Sequence, residues 1–592
     1  MAKKKGYRNS TNGLNERKLT HKQKRNLERS QSKMGIVKTD SNGAPFEILE
    51  DVSDKDFIAQ NGNSYVLAMY DVRSKQKFIF KSSHLKEIVG GSAIIRDIFK
   101  DYFFVAVDKV GQQRKKISEY KQHIYRYDIE NANSDQSKLT KTNFEDHLKK
   151  GAVAELVYDG GGNFFVLFED IDVFKDVTYE FTKTVLKNIG TLQILATAIE
   201  GLNFSDYNAD RNRLYKRHAE HEVKKNPATP WGTLPIVQVD YDTSMPLVGK
   251  EYTPVYEKLS KESLMKYKKY YAMDDTAEYC TKSGEKYLDK LVTQKGEESL
   301  LAIVYIDGNG MGAKVEKETE GKKSYESCVS ALRNFSANIQ QDYIEDPINQ
   351  IDAYLDEVHG GDSDYKSGQK RRMVIYAGDE INFVCNARDA LQLVKVYMEA
   401  LKKNESACAG IAIFHSHAPY AEAYRIAEEC CESGKVRMKK ASNGEEIQDA
   451  CFVDVHYCQG VIGTSLDSIR EREVGNFCSK PWLIKIDEKE EYKIKEREFA
   501  TLDEVDNVAG ILNKLGRSNV KGLAESAKRN VTDYLLELGR IKAHMSKEKR
   551  NDEEFRFLAE HRTLVFDVVT LYDLWFSAGD EEMSETPQEV SE

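Results

Sequence analysis

One pattern occurs twice in this 592-residue chain and narrows its possible folds more than any other feature. Tyr65-Val66-Leu67-Ala68-Met69-Tyr70 is an apolar run of strand length that ends at Asp71. Leu85, Ile88, Val89, Ile95 and Phe99 then recur at helical spacing, and 102–107 is strand-like again. Two apolar runs, 152–158 and 164–168, flank Asp159-Gly160-Gly161-Gly162-Asn163, which is a hairpin signal. A helix over 177–187 and a strand over 192–198 complete the unit. The same order returns about 235 residues later. There a strand over 300–306 ends at Asp307, and a helix covers 325–342. A hairpin, 373–376 with 381–385, turns at Gly378-Asp379-Glu380. A helix over 387–402, a strand over 408–414 and a helix over 420–433 follow. This order is the split β-α-β-β-α-β unit, so the sequence predicts an α+β protein with two ferredoxin-like domains.

The rest of the chain divides by composition. Residues 1–45 predict a basic, disordered tail: from Lys3, Lys4 and Lys5 to Lys33, 1–38 carry only two acids, Glu16 and Glu28. Such a tail can meet RNA phosphates. Residues 46–205 form the first domain. A helical and irregular connecting region spans 206–295, with a helix over 206–225, the prolines Pro227, Pro230, Pro235 and Pro246, and further helices from Ser260. The second domain spans 296–460. A helical domain covers 461–578, with helices over 503–515, 518–542 and 552–577, and an acidic, disordered tail ends the chain at 579–592. A net charge of −10 argues against general coating of nucleic acid. No apolar run approaches the roughly 18 residues that a membrane span needs, so no membrane partner is expected. No apolar stretch follows the basic N-terminus, so a secretory leader is not expected either. Nine dispersed cysteines suit reduced thiols and a cytoplasmic location.

The second unit concentrates the chemistry. Its topology brings the end of the first strand beside the hairpin turn, so Asp307, Asp379 and Glu380 can converge as catalytic and metal-binding carboxylates. Oxygen donors of this kind suit Mg²⁺ or Mn²⁺, which handle nucleoside triphosphates. Gly308, Gly310 and Gly312 make a loop whose backbone can approach phosphates closely. Lys435, placed after the last helix, can hold a phosphate as a point charge. An Asp-Gly or Gly-Asp turn is common in ordinary hairpins, so the turn alone is a weak signal; matching carboxylates at two places in one unit are a stronger one.

Longer motifs add a resemblance. Tyr305-Ile306-Asp307-Gly308-Asn309-Gly310-Met311-Gly312 resembles the first strand and loop of the catalytic palm of Cas10 proteins, the large subunits of type III CRISPR complexes. Tyr376-Ala377-Gly378-Asp379-Glu380 is similar to that palm's Gly-Gly-Asp-Asp hairpin, which is related to the GGDEF motif of diguanylate cyclases. Gly410-Ile411-Ala412-Ile413, Pro419, Ala423 and Ala427-Glu428 resemble the next strand and helix, with Lys435 at the phosphate-binding lysine. Tyr70-Asp71, Gln76, Phe78-Ile79-Phe80 and Gly90-Gly91-Ser92 resemble the family's first palm.

The resemblance implies two facing palms that bind ATP and join it into cyclic or linear oligoadenylates, a second messenger of antiviral defence. It also implies CRISPR-type subunits as partners. Nucleotide contacts then fall to Gly308, Asn309, Gly310, Gly312, Gly378 and Lys435, with Gly161, Gly162 and Asn163 in the first palm. That first palm is expected to be non-catalytic, because Asn163 and Phe164 stand where acids are needed. Two family features are not expected: an HD nuclease domain, since only His21 precedes residue 60, and a four-cysteine zinc module, since the connecting region holds only Cys280. The alternatives are a cyclase making a cyclic dinucleotide or using GTP, and a catalytically idle RNA-binding or assembly subunit.

Overall fold

The computed structural model describes residues 54–576 except 83, 116, 128–137, 160–162, 225–235, 241–242, 249–258, 275–290, 292–298, 361–369, 440–446, 448, 459–464, 476, 488–498 and 547–549. The expected tails, Pro227, Pro230 and Pro235 of the connecting region, and Gly161 and Gly162 lie outside the described residues.

Continuous apolar runs build two sheets, one per repeat. The first contains β1 (Val66–Arg73), β2 (Ile124–Tyr125), β3 (Ala154–Asp159), β4 (Asn163–Phe168) and β5 (Gln193–Glu200), in the order β2-β3-β4-β1-β5. The second contains β6 (Leu300–Gly308), β7 (Arg371–Ala377), β8 (Glu380–Asn386), β9 (Ala407–His415), β10 (Ala450–Tyr457) and β11 (Trp482–Ile486), in the order β11-β10-β9-β6-β8-β7. The four strands of each repeat's unit (β1, β3, β4, β5 and β6, β7, β8, β9) therefore lie fourth, first, third, second, with neighbours antiparallel, while β2 joins β3 in parallel. The fold class is α+β, as the sequence implies.

The period of two gives each sheet two apolar faces. In β1, Val66, Ala68, Tyr70 and Val72 enter one core, while Leu67 and Met69 enter another. On the Tyr70 side lie α1 (Lys75–Ile79), α2 (Leu85–Ile98) and α3 (Ile171–Asn188). The last is capped by Asp170, which accepts from the Val173 amide at 2.7 Å, and it buries Val173, Val177, Phe181 and Val185. α4 (Tyr207–Lys224) returns across the opposite face, with Tyr207 and Leu214 against Leu67 and Met69.

The second repeat follows the same plan. After β6 come α5 (Met311–Thr319) and α6 (Tyr325–Ile339), then α7 (Ala390–Ala400) on the Ile306 face. α8 (Tyr420–Met438) crosses the Tyr305 face. It rests directly on β9, for a Cβ at Gly410 would come within 1.9 Å of the Ala427 carbonyl oxygen and 2.5 Å of the Cys431 nitrogen. Only glycine permits that approach.

The repeats interlock. α2 of the first packs against β7 of the second, and α6 of the second packs against β3 of the first. In the latter contact the fully buried Arg333 donates to the Val157 carbonyl at 2.7 Å and meets the equally buried Glu155 at 3.2 Å. One apolar core runs from Tyr70 and Phe103 through to Leu301, Ile303 and Tyr424.

Four expectations change. The 102–107 segment is helical: α2 continues through a wide turn at Phe99–Phe103 into a helix at Phe104–Arg114. Phe99, Phe103, Val107 and Val110 recur every three or four residues and are all buried, and that spacing prevails over the local apolar run. The helix that opens the expected connecting region is α4, which covers the first sheet. The region expected to be helical from 461 supplies, after a short helix at Leu466–Glu473, the strand β11, which pairs with β10; β10 itself runs parallel to β9. The helices that follow, from Leu502–Asn513 to Arg562–Thr570, share the core of Ile306. Lastly, Lys435 lies inside α8 rather than after it. Among the described residues no helix is long and apolar enough to cross a membrane.

Candidate functional site

Asp307 stands at the end of β6 between two partners: Glu380 on β8 and Cys408 on β9. Directly paired residues of neighbouring strands share a face, so the Asp307 and Glu380 carboxylates stand side by side. Asp379 reaches the same strand end from the turn. Its carbonyl accepts from the Gly308 amide at 3.2 Å, and its side chain lies over Gly308. A Cβ on Gly308 would come within 2.9 Å of Asp379 Cβ and 3.1 Å of its Oδ2. Glycine at 308 is what lets Asp379 close on the strand. Gly378 supplies the left-handed step of the turn, at φ 66°.

Beyond β6 the chain passes Asn309 and takes a left-handed step at Gly310 (φ 65°), the N-cap of α5, with Gly312 in the first helical turn. No side chain caps this helix start, so its first N–H groups are suited to an anion. Asn309 is buried. Its side-chain amide donates to the Ala450 carbonyl at 2.9 Å and to Ser406 Oγ at 3.2 Å, anchoring the loop to the β9–β10 edge.

From within α8, Lys435 reaches back to the strand end, with Nζ 2.7 Å from Asp307 Oδ2 and 3.0 Å from the Gly308 carbonyl. Burial works against its charge, but Asp307 outweighs that and raises its pKa. The ammonium is thus a fixed charge beside the carboxylates. α8 also presents two tyrosines that sequence reasoning missed. The Tyr420 hydroxyl donates to Asn382 Oδ1 at 2.7 Å, and the Tyr424 hydroxyl donates to Glu380 Oε1 at 3.4 Å. Burial, and then Glu380, push the Tyr424 phenol well above its ordinary pKa, so it is a donor throughout the working range. The available signal was spacing: two tyrosines one helical turn apart match two polar residues one pleat apart.

Among the described residues no group of three or more His, Cys, Asp or Glu side chains is arranged to hold a metal ion. Asp307, Asp379 and Glu380 nonetheless bring carboxylate oxygens to this strand end, the donor type that a hard divalent cation takes, and the cradle over Gly308 admits no larger residue.

In the first repeat, Asp71 occupies the place of Asp307, paired with Asn163 on β4 and Leu195 on β5. The side chain of Arg73 lies 3.4 Å from it, and Glu222 of α4 meets Arg73 at 2.7 Å. Thr197 and the buried His218 complete the surroundings, with 3.1 Å between Oγ1 and Nδ1. Of the first-repeat nucleotide contacts expected from sequence, only Asn163 is among the described residues.

No family model matches the chain, and no curated protein matches it. It does resemble solved structures at low identity. One is the Csm1–Csm4 cassette in complex with pppApA, at 13% identity and a TM-score of 0.45, over 88% of this chain and 71% of that one. The apo cassette gives 12% and 0.45, over 92% and 72%. Csm1 in T. onnurineus gives 14% and 0.41, over 85% and 70%. The solved structures that neighbour this chain include Csm1, alone and in its cassette with Csm4.

Proposed function

We propose that the chain is a metal-dependent nucleotidyltransferase that joins ATP into cyclic or linear oligoadenylates. In this reading the two sheets belong to a pair of ferredoxin-like palms, the second (296–460) catalytic and the first (46–205) not. The observation that carries it is the strand end where Asp307 faces Glu380, Asp379 closes over Gly308, and Lys435 sits on Asp307. The sequence motifs through these same residues support it, since they resemble the catalytic palm of Cas10 proteins.

Asp307, Asp379 and Glu380 would hold Mg²⁺ or Mn²⁺, which when bound neutralises triphosphate charge and activates an attacking hydroxyl. The chain's own part is positioning and fixed charge. The uncapped start of α5 offers N–H groups to a phosphate. Lys435 keeps its proton because Asp307 is beside it. In the first palm Asp71 holds the place of Asp307, and Asn163 stands where Glu380 does. Work within a CRISPR-type assembly belongs to the same proposal.

The test is incubation with labelled ATP and Mn²⁺, with and without RNA, beside an Asp379→Ala/Glu380→Ala variant. ATP-derived oligonucleotides from wild type alone are expected; ATP, pppApApA and cA4, named for the resembling cassettes, are the reference compounds. No triphosphate consumption by the wild type, or equal turnover by the variant, overturns the proposal.

A further inference from the structure

The side of α8 that faces β8 is built to hold one carboxylate still. Tyr420 and Tyr424 are one helical turn apart, and Asn382 and Glu380 are one pleat apart on β8. Each tyrosine reaches one of them, Tyr420 at 2.7 Å and Tyr424 at 3.4 Å. Asn382 is itself fixed, since its amide donates to the Val304 carbonyl at 3.0 Å. The Tyr424 ring is buried and has its edge to Tyr305, with centroids 5.5 Å apart and planes at 87°.

What closes this arrangement comes from the other repeat. Phe80, which follows α1, stacks on Tyr424 with ring centroids 3.7 Å apart and planes at 27°. It also lies nearly parallel to Tyr420, at 6.5 Å and 17°. One turn along α8, Glu428 accepts from the Gln76 side chain of α1 at 2.9 Å. The segment of the first repeat just after Asp71 therefore grips the helix that orients Glu380 in the second.

From this geometry we infer that Tyr424 is a positioning residue for Glu380, and that Phe80 makes that positioning depend on how the two repeats are docked. The inference rests on the metal-site reading above and adds a means by which partner binding at one repeat can tune the other. A hydroxyl that donates to a metal-binding carboxylate selects its orientation, and losing such a partner typically costs about 10–100-fold in metal affinity or activity.

The test is Mn²⁺ binding without nucleotide, followed by electron paramagnetic resonance, on the full chain. Tyr424→Phe removes only the hydroxyl and keeps the stacked ring, and it is expected to weaken Mn²⁺ about tenfold with unchanged metal-free melting. Phe80→Leu should weaken Mn²⁺ in the same direction, and Phe80→Trp should retain affinity. The Phe80→Leu/Tyr424→Phe pair should be no weaker than the worse single variant, because both act on one element. Tyr420→Phe, which loses only the Asn382 contact, should bind Mn²⁺ as wild type does. Fully multiplicative effects in the double variant, or an equal loss in Tyr420→Phe, overturn the inference. A wild type that binds no Mn²⁺ overturns the metal reading with it, whereas a wild type matched by Tyr424→Phe overturns the positioning role alone.

Discussion

The two repeats share a backbone plan and differ in what fills it. Asp71 and Asp307 hold the same register position, each between the hairpin strand and the fourth strand. The third residue past each aspartate takes a left-handed step and caps a helix: Ser74 at φ 53° in the first repeat, Gly310 at φ 65° in the second. Each fourth strand leads to a tyrosine-initiated helix across the aspartate's face, α4 from Tyr207 and α8 from Tyr420. Counted from those tyrosines, Glu222 and Lys435 hold the same position, so the charge facing the aspartate loop is reversed. The first repeat compensates with Arg73, which lies between Asp71 and Glu222. Where Gly308 leaves room for Asp379, the first repeat has Val72, and where Glu380 stands it has Asn163. Two copies of one scaffold can thus keep their loop geometry while filling the aspartate's surroundings differently, with Lys435 on Asp307 in one and Arg73 between Asp71 and Glu222 in the other.

The sharpest way to break this comparison is to neutralise the two equivalent aspartates. Asp307→Asn is expected to lower ATP turnover by about 10³-fold, which is several kcal/mol of charge stabilisation at about 1.4 kcal/mol per decade. Asp71→Asn should stay within about threefold of wild type, a change well under 1 kcal/mol. Equal losses in steady-state assays would show that the first repeat is also a working site.

The second contrast concerns how each open face is closed. The contact over the first sheet carries an ion pair within its apolar packing, Arg333 on Glu155, and the one over the second carries an aromatic stack, Phe80 on Tyr424. Arg333→Ala leaves the buried Glu155 with His147 as a remaining partner and should cost about 3 kcal/mol in urea unfolding, the low end for a broken buried pair. Phe80→Leu keeps an apolar side chain and should cost about 1 kcal/mol. Similar values for the two would mean that the ion pair is not what docks α6.

Much of this was legible because it depends on local pattern. The strands ending at Asp71 and Asp307 are continuous apolar runs, and the Gly378-Asp379 turn marks its hairpin; both lie where the sequence places them. What escaped depends on partners distant in the chain. Whether 102–107 is strand or helix is decided by the core that Phe103 and Val107 enter. Lys435 seemed to follow a helix because Ser433-Gly434 reads as a stop, whereas Gly434 lies inside α8, packed against Phe452 and Cys408. β10 and β11 lack the hairpin punctuation of the other strands, since β10 joins β9 in parallel through a helix. The roles of Tyr420, Tyr424 and Phe80 need the register between α8 and β8, which no single stretch encodes.

Exchanging one residue between the repeats sharpens the comparison further. Gly308→Val installs the residue of the first repeat in the second. Its Cβ meets Met311 Cε at 2.5 Å as well as Asp379, so the turn must move away. An overpacking cost of about 1–3 kcal/mol is expected in unfolding, with turnover falling as Asp379 is displaced. Full activity in this variant would remove Asp379 from the site.

The smallest effect is in pH. His218, in the first repeat, has its pKa lowered from 6.5, chiefly by burial, although Asp71 and Glu222 pull it upward. A depressed histidine leaves stability intact above its unfolded pKa. As pH falls below about 6.5 the unfolded chain takes up a proton that the folded chain refuses, so stability declines, by at most about 1.4 kcal/mol per pH unit for one such group. Lys435, the charge beside Asp307 in the second repeat, has its pKa raised and stays protonated through this range, so it contributes no such slope. His456 on β10, held down to about 4 by burial and then by Arg470, adds a similar slope of its own. Urea unfolding between pH 7 and pH 5 should therefore show a decline that His218→Gln reduces and does not abolish. A variant as acid-labile as the wild type would assign the whole slope to His456, and the first repeat would lose its distinguishing acid sensitivity.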